Sequence, residues 1–428
     1  MNTPLTLREL SCADDYDPNS MPVDKARQYI TTFLTPVTAT ERVHVRAALG
    51  RVLAEDILSP IAVPGHDNSA MDGYAIRFDD LRADAAVTLN VTGTSFAGKP
   101  VAHTLQPGTA IRIMTGGVLP VGADTVVMQE MTTKAGDAVT IPPRDEAKIR
   151  NRGINTRKAG EDLQVGSMAL QRGSRINPAE LGLIASLGIN EVTVYRKLRV
   201  AFFSTGDELR SIGQPLGPGE IYDSNRYTLY GMLTRLNCEI SDMGVIVDEP
   251  EAVESAFATA SGIADAVITS GGVSVGEADY IKSVLEKLGE VLFWKIAMKP
   301  GRPLAYGKLG EAHFFGLPGN PVSVMVTFYQ FVRDALLTLA GQTRIPPLPT
   351  FKATLRSPIK KAPGRTEFQR GVFFQDADGA CSVTITGDQG SGILSSMTQA
   401  NCFIILGTAV GNVQAGETVE VQMFEGLV

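Results

Sequence analysis

The chain has 428 residues, and at about 150 residues per domain it is too long for one ordinary core. Hydrophobic residues make up 44% and charged residues 20%, which is typical of a folded protein and excludes a disordered one. The 39 basic and 46 acidic side chains give a net charge of −7, which argues against nucleic acid as a partner. We therefore expect a folded protein of several domains.

The cysteines, histidines and apolar runs limit the compartment and the kind of metal site. The four cysteines lie far apart and form no CxxC pair, so they indicate neither a zinc site nor a disulfide framework and favour a reducing cytoplasm. The first residues lack the basic start and apolar run of a signal peptide, and no apolar run reaches about 18 residues. We predict no membrane association, and with four scattered histidines any metal is expected to bind oxygen ligands.

The first 196 residues predict helices on both sides of a β-rich stretch. VDKARQYITTFL is typical of a helix, and Thr40 is a suitable N-cap for a second helix running toward Leu53. Short β-rich runs at 57–149 alternate with Gly, Pro and Asp, which predicts a small all-β module. Asn and Pro at 177–178 begin a third helix, and the strand VTVY follows it. We expect residues 151–196 to rejoin the N-terminal helices in one discontinuous domain.

The rest of the chain predicts an α/β domain followed by a β domain. From 198 to 339, apolar strands alternate with amphipathic helices, including one at 279–288 and a long one at 322–339. This alternation is typical of a doubly wound domain with a mainly parallel sheet. A Pro-rich hinge at 345–349 precedes a piece with strands and no helix, which predicts a small β-barrel or sandwich. The predicted fold class is multi-domain α/β plus β, with domains at 1–56 and 151–196, 57–150, 197–345 and 346–428.

Three loops that follow strands of the α/β domain are candidates for a binding site, because ligands bind at the carboxyl ends of parallel strands. Their sequences are STGDEL, TSGGVSVGEADY and LPGNPVS. Glycines between hydroxyls and a helix N-terminus after GNP can direct backbone N–H groups toward a phosphate. The alternative is that these glycines only serve the strand-to-helix turns. The phosphate-binding candidates are Ser270, Gly271, Gly272, Ser274, Gly319, Asn320 and Pro321.

Two further sets of charged residues accompany these loops. Carboxylates are dense at the strand ends, which suits a hard cation such as Mg²⁺, although solvated loop acids and helix N-caps are the alternative. In FWKIAMKPGRP, Lys295 and Lys299 alternate with apolar residues, which predicts two lysines on one face of a strand, able to hold an oxyanion with Arg302. Solubility lysines on an edge strand are the alternative. The strand-end acids are Asp207, Glu208, Asp223, Asp248, Glu277 and Asp279.

Two segments of the β-rich module also concentrate polar residues. PGHDNSAMDGYA contains Asp67, Asn68, Ser69 and Asp72, and a second segment has Thr115 before two glycines. Pattern alone leaves open whether these are functional segments or turns.

Together, an ordered series of motifs resembles the MoeA family of molybdopterin molybdenumtransferases, which also includes the E domain of gephyrin. The resemblance covers nearly the whole chain and implies an elongated discontinuous subdomain, a β-rich insert, a molybdopterin-binding-like α/β domain and a C-terminal β-barrel. The motifs are DNSAMDGYA, TGG with LP and GADTVV, GINTRKAGEDL, NPAELGLIASLGI, FSTGDEL, IYDSNRY, TSGGVSVGEADY, KPGRPLA, GLPGNPVS and GSGILSSM.

The resemblance also implies a reaction and a site. Adenylylated molybdopterin and molybdate would give the molybdenum cofactor with release of AMP, aided by Mg²⁺ or a similar ion held by Glu208, Asp248 and Asp279. The site would lie in a homodimer cleft, and a separate molybdopterin adenylyltransferase would supply the substrate, because we expect no such domain within the 428 residues. The implied functional residues are Asp67, Thr115, Arg157, Asp162, Glu208, Asp248, Asp279, Lys295, Lys299, Pro318, Pro321 and Ser391.

The sequence departs from the commoner family pattern at Lys158 and Ala159, where relatives often carry further basic residues or proline, and at Arg302, which replaces a frequent lysine. None of these changes removes an expected functional group, although the affinity for anions could differ. Two other functions stay open at this point: a scaffold or clustering protein of the gephyrin type, and another phosphate-metabolising α/β enzyme.

Overall fold

A computed structural model describes residues 20–272, 283–285 and 287–428. The chain divides into two compact units. The core unit contains the described residues up to Ala54, Gly173–Asn177 and Glu191–Val428, and the insert unit contains Glu55–Arg172 and Pro178–Asn190. The finer division into four domains stays a prediction.

The N-terminal part of the core unit confirms one predicted helix and corrects another. Helix α1 spans Val23–Phe33 and buries one apolar face, as its sequence predicts. The helix predicted from Thr40 toward Leu53 is wrong. Strand β1, Thr40–His44, occupies this position, followed by the single 3₁₀ turn Val45–Ala48. Strand β1 pairs antiparallel with the distant strand Glu191–Tyr195, and this tertiary pairing overrides the local helix signal.

The insert unit is a mixed six-stranded sheet with small two-stranded additions, which confirms the β-rich prediction for this stretch. The sheet order is β7-β4-β6-β5-β9-β8. Glycine is required at Gly73, because a Cβ there would lie 2.0 Å from the carbonyl oxygen of Val127 on the neighbouring strand. Its strands are β2 Ile57–Leu58, β3 Asn68–Ser69, β4 Gly73–Ile76, β5 Val87–Ser95, β6 Thr109–Ile113, β7 Thr125–Met128, β8 Thr133–Ala135, β9 Ala138–Ile141, β10 Thr156–Arg157 and β11 Met168–Leu170, and helix α2 spans Pro178–Ser186.

The α/β part of the core unit is a six-stranded sheet in the order β16-β13-β17-β21-β20-β18, after β12 at Glu191–Tyr195. The first four strands are parallel to one another, and β20 runs antiparallel to both of its neighbours, β21 and β18, so the mainly parallel sheet is confirmed. The elements are β13 Arg199–Thr205, β14 Leu209–Arg210, β15 Ile221–Tyr222, α3 Ser224–Arg235, β16 Glu239–Ile246, α4 Pro250–Ile263, β17 Ala266–Ser270, β18 Gly289–Lys295, β19 Met298–Lys299, β20 Pro303–Leu309, β21 Ala312–Leu317 and α5 Pro321–Leu339.

Both faces of this sheet are buried, as the apolar strand sequences predict. Along β13, Val200 and Phe202 pack into one hydrophobic cluster, while Ala201 and Phe203 pack into a second cluster on the other face. The first cluster includes the apolar side of α5, which contains a π-helical turn at Phe328–Val332. Of the helix predicted at 279–288, residues 283–285 and 287–288 are described and are helical, and the others lie outside the described residues.

The C-terminal part of the core unit is a closed five-stranded barrel, which decides between the barrel and the sandwich. Strand β23 pairs with both β24 and β25, so the order β23-β24-β22-β26-β25 returns to β23. The prediction of no helix here is wrong, because Ser395–Gln399 forms the short helix α6. The strands are β22 Thr350–Leu355, β23 Thr366–Gln375, β24 Cys381–Ile385, β25 Cys402–Leu406 and β26 Thr418–Met423.

One helix in the described part of the chain, α5, is long and apolar enough to cross a membrane by length and composition. Its apolar window is 83% buried inside the protein, which is typical of a core helix.

Candidate functional site

The three predicted strand-end loops meet at Gly271, directly after β17. The N–H of Gly271 donates to the carbonyl of Leu317 at 3.1 Å, and a Cβ on Gly271 would lie 2.6 Å from the carbonyl of Thr205. Gly319 lies in the loop after β21, and a Cβ placed on it would lie 3.9 Å from the Cα of Gly271. The φ of Gly271 is +91°, so both space and backbone geometry require glycine here.

The hydroxyl of Ser270 supports the sheet beneath these loops. Ser270 is 1% exposed, and its Oγ lies 3.0 Å from the Oγ of the equally buried Ser204 on β13. The side chain of Ser270 is therefore committed within the sheet, and the loop presents to a ligand the partly exposed backbone of Gly271 and Gly272. Gly272, also a candidate, has a φ of +70°, whereas Ser274 lies outside the described residues.

A cavity of about 520 Å³ adjoins the loop after β21. The barrel contributes to it through Ser391, whose carbonyl accepts the N–H of Val322 at 3.1 Å in the first turn of α5. Lys299 and Arg302 bring positive charge to the cavity and Asp388 brings one carboxylate. The structure therefore places five candidates around one space. These are Lys299, Pro318, Gly319, Asn320 and Ser391.

Lys295 does not share this arrangement, and the prediction of two lysines on one face of one strand is wrong. Lys295 ends β18 of the α/β sheet, whereas Lys299 lies in β19, which pairs with β23 of the barrel. Ile296 and Ala297 between them are both buried, and the N–H of Met298 donates to the carbonyl of Ile296 at 2.8 Å. The chain turns here from one sheet into the other, which breaks the alternation. Lys299 Nζ lies 3.9 Å from a carboxylate oxygen of the buried Glu367.

The strand-end acids divide into described and undescribed members. Glu208 is exposed after β13, and Asp248 follows β16, the adjacent parallel strand. The N–H of Asp248 lies 3.5 Å from a carboxylate oxygen of Asp207, so these two loops approach each other. Asp279 and Glu277 lie outside the described residues. Within the part of the chain that the structure describes, three or more His, Cys, Asp or Glu residues do not come together as a metal site.

Asn225, which the sequence analysis did not select, touches the same loops. Its Nδ2 donates to the carbonyl of Gly319 at 2.6 Å, and its side chain is 7% exposed. Asp223, two residues earlier, is the N-cap of α3 and accepts the N–H of Arg226 at 3.2 Å. The sequence feature that could have indicated Asn225 is a side-chain amide two residues after a helix-capping aspartate.

The insert unit holds a second group of candidates around Asp67. The carboxylate of Asp67 accepts hydrogen bonds from Lys158 Nζ at 2.7 Å and from the N–H of Ala159 at 2.8 Å. These bonds lower the pKa of Asp67, the bond from Lys158 most, so the group is ionised at neutral pH. Strand β10 places Arg157 opposite Asn68 of β3. Lys158 therefore pairs with a candidate catalytic carboxylate and offsets its charge.

Thr115 and Asp162 complete the candidates of the insert unit. Thr115 is exposed, and both its N–H and its Oγ1 donate to Asp72 at 2.7 Å. These hydrogen bonds lower the pKa of Asp72, the backbone bond most. Asp162 is exposed, and its N–H donates to the carbonyl of Val63 at 3.0 Å.

Comparison with known proteins agrees with this architecture. Three family models cover most of the chain: the MoeA N-terminal region (domain I and II) over 21–188, a probable molybdopterin binding domain over 201–338, and the MoeA C-terminal region (domain IV) over 352–424. The fold and these family models thus define a protein of molybdenum cofactor biosynthesis with a probable molybdopterin-binding domain.

Relatives identify the family. Molybdopterin molybdenumtransferase of Haemophilus influenzae is 48% identical over 405 residues, which is 95% of this chain and 99% of that protein. The enzyme of the same name from Bacillus subtilis is 35% identical over 94% of this chain and 93% of its own. A crystal structure of the molybdopterin biosynthesis moeA protein from Pyrococcus horikoshii matches with a TM-score of 0.80 at 29% identity, covering 95% of this chain and all of that one. The chain belongs to the molybdopterin molybdenumtransferase family.

Proposed function

We propose that this enzyme inserts molybdate into adenylylated molybdopterin, releases AMP, and depends on Mg²⁺. The observation that supports this most is the meeting of three strand-end loops at Gly271, next to a cavity that contains Lys299 and Arg302. Glycine-rich loops after parallel strands suit phosphate groups, and the cations suit an oxyanion.

In this proposal, different residues of the chain bind the substrate phosphates and the molybdate. The loops at Gly271 and Gly319 hold the phosphates of the substrate. Water cleaves the phosphoanhydride bond, which releases AMP and leaves a phosphate on molybdopterin, and two Mo–S bonds to the dithiolene replace two Mo–O bonds of molybdate, whose oxygens leave as water. Lys299 and Arg302 attract molybdate, and holding it beside the dithiolene sulfurs raises its effective concentration. Positioning carries the rate, and no protein nucleophile takes part. Cys238 and Cys402 are poor nucleophiles, because burial raises the pKa of each thiol to about 12 and keeps it protonated.

Mg²⁺ would be held by Glu208, Asp248 and Asp279, and when bound it would neutralise charge on the departing AMP phosphate. Two hard oxygen donors in the loops after adjacent parallel strands, Glu208 and Asp248, support this proposal, and Asp279 lies outside the described residues. Mn²⁺ binding followed by electron paramagnetic resonance tests it without turnover. Glu208→Gln should weaken Mn²⁺ binding, and Glu130→Gln on the exposed surface of the insert unit should not.

We further propose a cytoplasmic homodimer whose substrate comes from a separate molybdopterin adenylyltransferase. The candidate residues support a shared site because they fall into both compact units, Asp67 in the insert unit and Lys299 in the core unit. Mixing Asp67→Asn and Lys299→Gln subunits should restore part of the activity that each variant lacks alone. Failure to complement after heterodimers are shown by mass spectrometry would count against the shared site.

The central experiment measures AMP release from adenylylated molybdopterin with and without molybdate. We expect molybdate-dependent AMP release, and Lys299→Gln should raise the molybdate concentration for half-maximal rate by about tenfold, the effect of losing one charge-assisted hydrogen bond. The matched control is Lys134→Gln, an exposed strand lysine in the insert unit. Equal AMP release with and without molybdate would refute the proposal. Binding of partner proteins with no AMP release would also refute it.

A further inference from the structure

A second cavity lies in the core unit and shares no lining residue with the strand-end cavity. Five segments form it: the stretch after β1, Arg175 before α2, the connection from β12 to β13, the turn between α3 and β16, and the end of α5 with the residues after it. Its volume is about 30 Å³. One water molecule needs about 10–15 Å³, so the space admits one small ion or the end of a larger molecule.

The described residues that line this cavity include four cations and no carboxylate. Two of the cations already have partners, because Arg51 pairs with Glu41 and Arg196 forms a bidentate pair with Asp265 at 2.6 and 2.7 Å. An excess of positive charge therefore remains at the cavity. The four cations are Arg51, Arg175, Arg196 and Lys197.

Two donor groups of the cavity lining lie within 4 Å of the position that a side chain at Gly50 would occupy. The Cβ position of Gly50 lies 3.5 Å from Asn237 Nδ2 and 4.0 Å from Arg175 Nη2. Gly50 has a φ of +76° and Asn237 a φ of +62°, so both turns are built from residues that tolerate this conformation. The absence of a side chain at Gly50 keeps the space between the two donors open.

Gln342 adds a group of the opposite kind. Its Nε2 donates to the carbonyl of Arg344 at 2.7 Å, which fixes the orientation of the amide. Its Oε1 is a buried acceptor without a partner in the described part of the protein. A buried acceptor of this kind costs free energy until a donor reaches it.

We propose that this cavity binds a phosphate group, either the free ion or the end of a phosphomonoester. Its oxygens accept hydrogen bonds from Arg175 and Asn237, and its P–O–H donates to Gln342. Hydrogen phosphate carries both kinds of group, whereas sulfate at neutral pH has acceptors only. The bound phosphate joins the segment at Gly50 to the α/β part of the core unit, so binding stabilises the fold.

The test follows Tm by differential scanning fluorimetry during titration with inorganic phosphate, with ionic strength held constant by NaCl. We expect a saturable rise in Tm that sulfate reproduces only weakly. Arg175→Gln and Asn237→Asp should each weaken the apparent affinity by about tenfold or more, since each removes a donor. The matched control is Arg82→Gln, an exposed arginine of the insert unit, which should retain the response.

Three results would overturn the proposal. The first is an unchanged response in both Arg175→Gln and Asn237→Asp, and the second is equal stabilisation by sulfate. The third is a response that Lys299→Gln abolishes and Arg175→Gln keeps, because the ion would then occupy the strand-end cavity. Glycerol 3-phosphate distinguishes the sources: a response to it supports a phosphomonoester, and a response to inorganic phosphate alone supports the free ion.

Discussion

One carboxylate oxygen of Asp72 accepts two hydrogen bonds from Thr115, one from the backbone N–H and one from Oγ1, each at 2.7 Å. The hydroxyl proton of Thr115 is therefore donated to Asp72, and the hydroxyl oxygen can act toward other groups only as a hydrogen-bond acceptor. A threonine proposed to contact substrate is thus oriented by a carboxylate 43 positions earlier in the chain.

This relationship predicts the effect of two conservative changes. Asp72→Asn should lower kcat/KM on the order of tenfold, because a misplaced positioning group costs up to about a hundredfold. Thr115→Ser should retain most activity and Thr115→Val should lose it, as measured by AMP release. If Thr115→Val keeps the parental rate, the hydroxyl has no role and the significance of Asp72 is structural.

The glycine at the centre of the strand-end loops makes a prediction about stability. Gly271→Ala should lower the free energy of unfolding by about 2–3 kcal/mol, because the new Cβ would strain a positive φ and approach the carbonyl of Thr205. Gly213→Ala is the matched control: its φ is +86°, but nothing lies within 4 Å of the Cβ position, so the cost should be about 1 kcal/mol. Urea unfolding measures both, and equal losses would show that the close approach is unimportant.

A buried arginine supports the barrel side of the cavity. Arg370 is 1% exposed, and its guanidinium donates to the carbonyl of Gly390 at 2.8 Å and to Ser396 Oγ at 2.9 Å. Burial lowers the pKa of Arg370, and the charge of Asp388 partly offsets this effect. Arg370 therefore positions the turn that presents Ser391.

We expect Arg370→Met to raise KM for adenylylated molybdopterin by about tenfold while Tm changes little, because the variant also removes the cost of a buried cation. Arg370→Lys should rescue only partly, since an ammonium cannot reproduce the fork geometry. Arg365→Met, an exposed neighbour in sequence, serves as the control. A large fall in Tm without a change in KM would assign Arg370 to stability alone.

A buried histidine predicts how stability depends on pH. Burial lowers the pKa of His313 to about 4, and the charge of Lys308 adds to this effect. The unfolded chain, with a histidine pKa of 6.5, takes up the proton first as pH falls, so stability is complete above pH 6.5 and declines toward pH 4. Each pH unit costs about 1.4 kcal/mol, so the total loss approaches about 3 kcal/mol.

Chemical unfolding between pH 7 and pH 4 checks this prediction. His313→Gln should remove most of the decline, whereas His103→Gln, at an exposed position, should leave it unchanged. A decline of the same size in His313→Gln would attribute the acid sensitivity to other groups.

The sequence predicted much of the local structure, because a buried strand or helix face requires apolar residues at a regular spacing that is visible in the sequence. The run at β13 is apolar on both faces, and both faces are covered. Glycines after β17 and β21 predicted loops at a sheet edge, where they meet. The family motifs added the identity of the enzyme, which the comparisons confirm.

Where the predictions from sequence were wrong, contact with a segment distant in the chain decided the local structure. Thr40 begins a strand because Tyr195 lies opposite it, and no local propensity contains that pairing. Lys295 and Lys299 separate because the chain leaves one sheet for another between them, where Ile296 and Ala297 are both buried. Alternation in a short run cannot reveal such a change of sheet.

The sequence by itself therefore determined which segments become strands of the sheet, where the glycine-rich strand-end loops occur, and which family the enzyme belongs to. These features depend on local period and on motifs. Only the tertiary structure decided how side chains are committed: Ser270 to Ser204, Thr115 to Asp72, and Asn225 to Gly319. The physical reason is that a hydrogen bond is set by distance and direction, and separations of 43 to 94 positions become contacts only after the chain has folded.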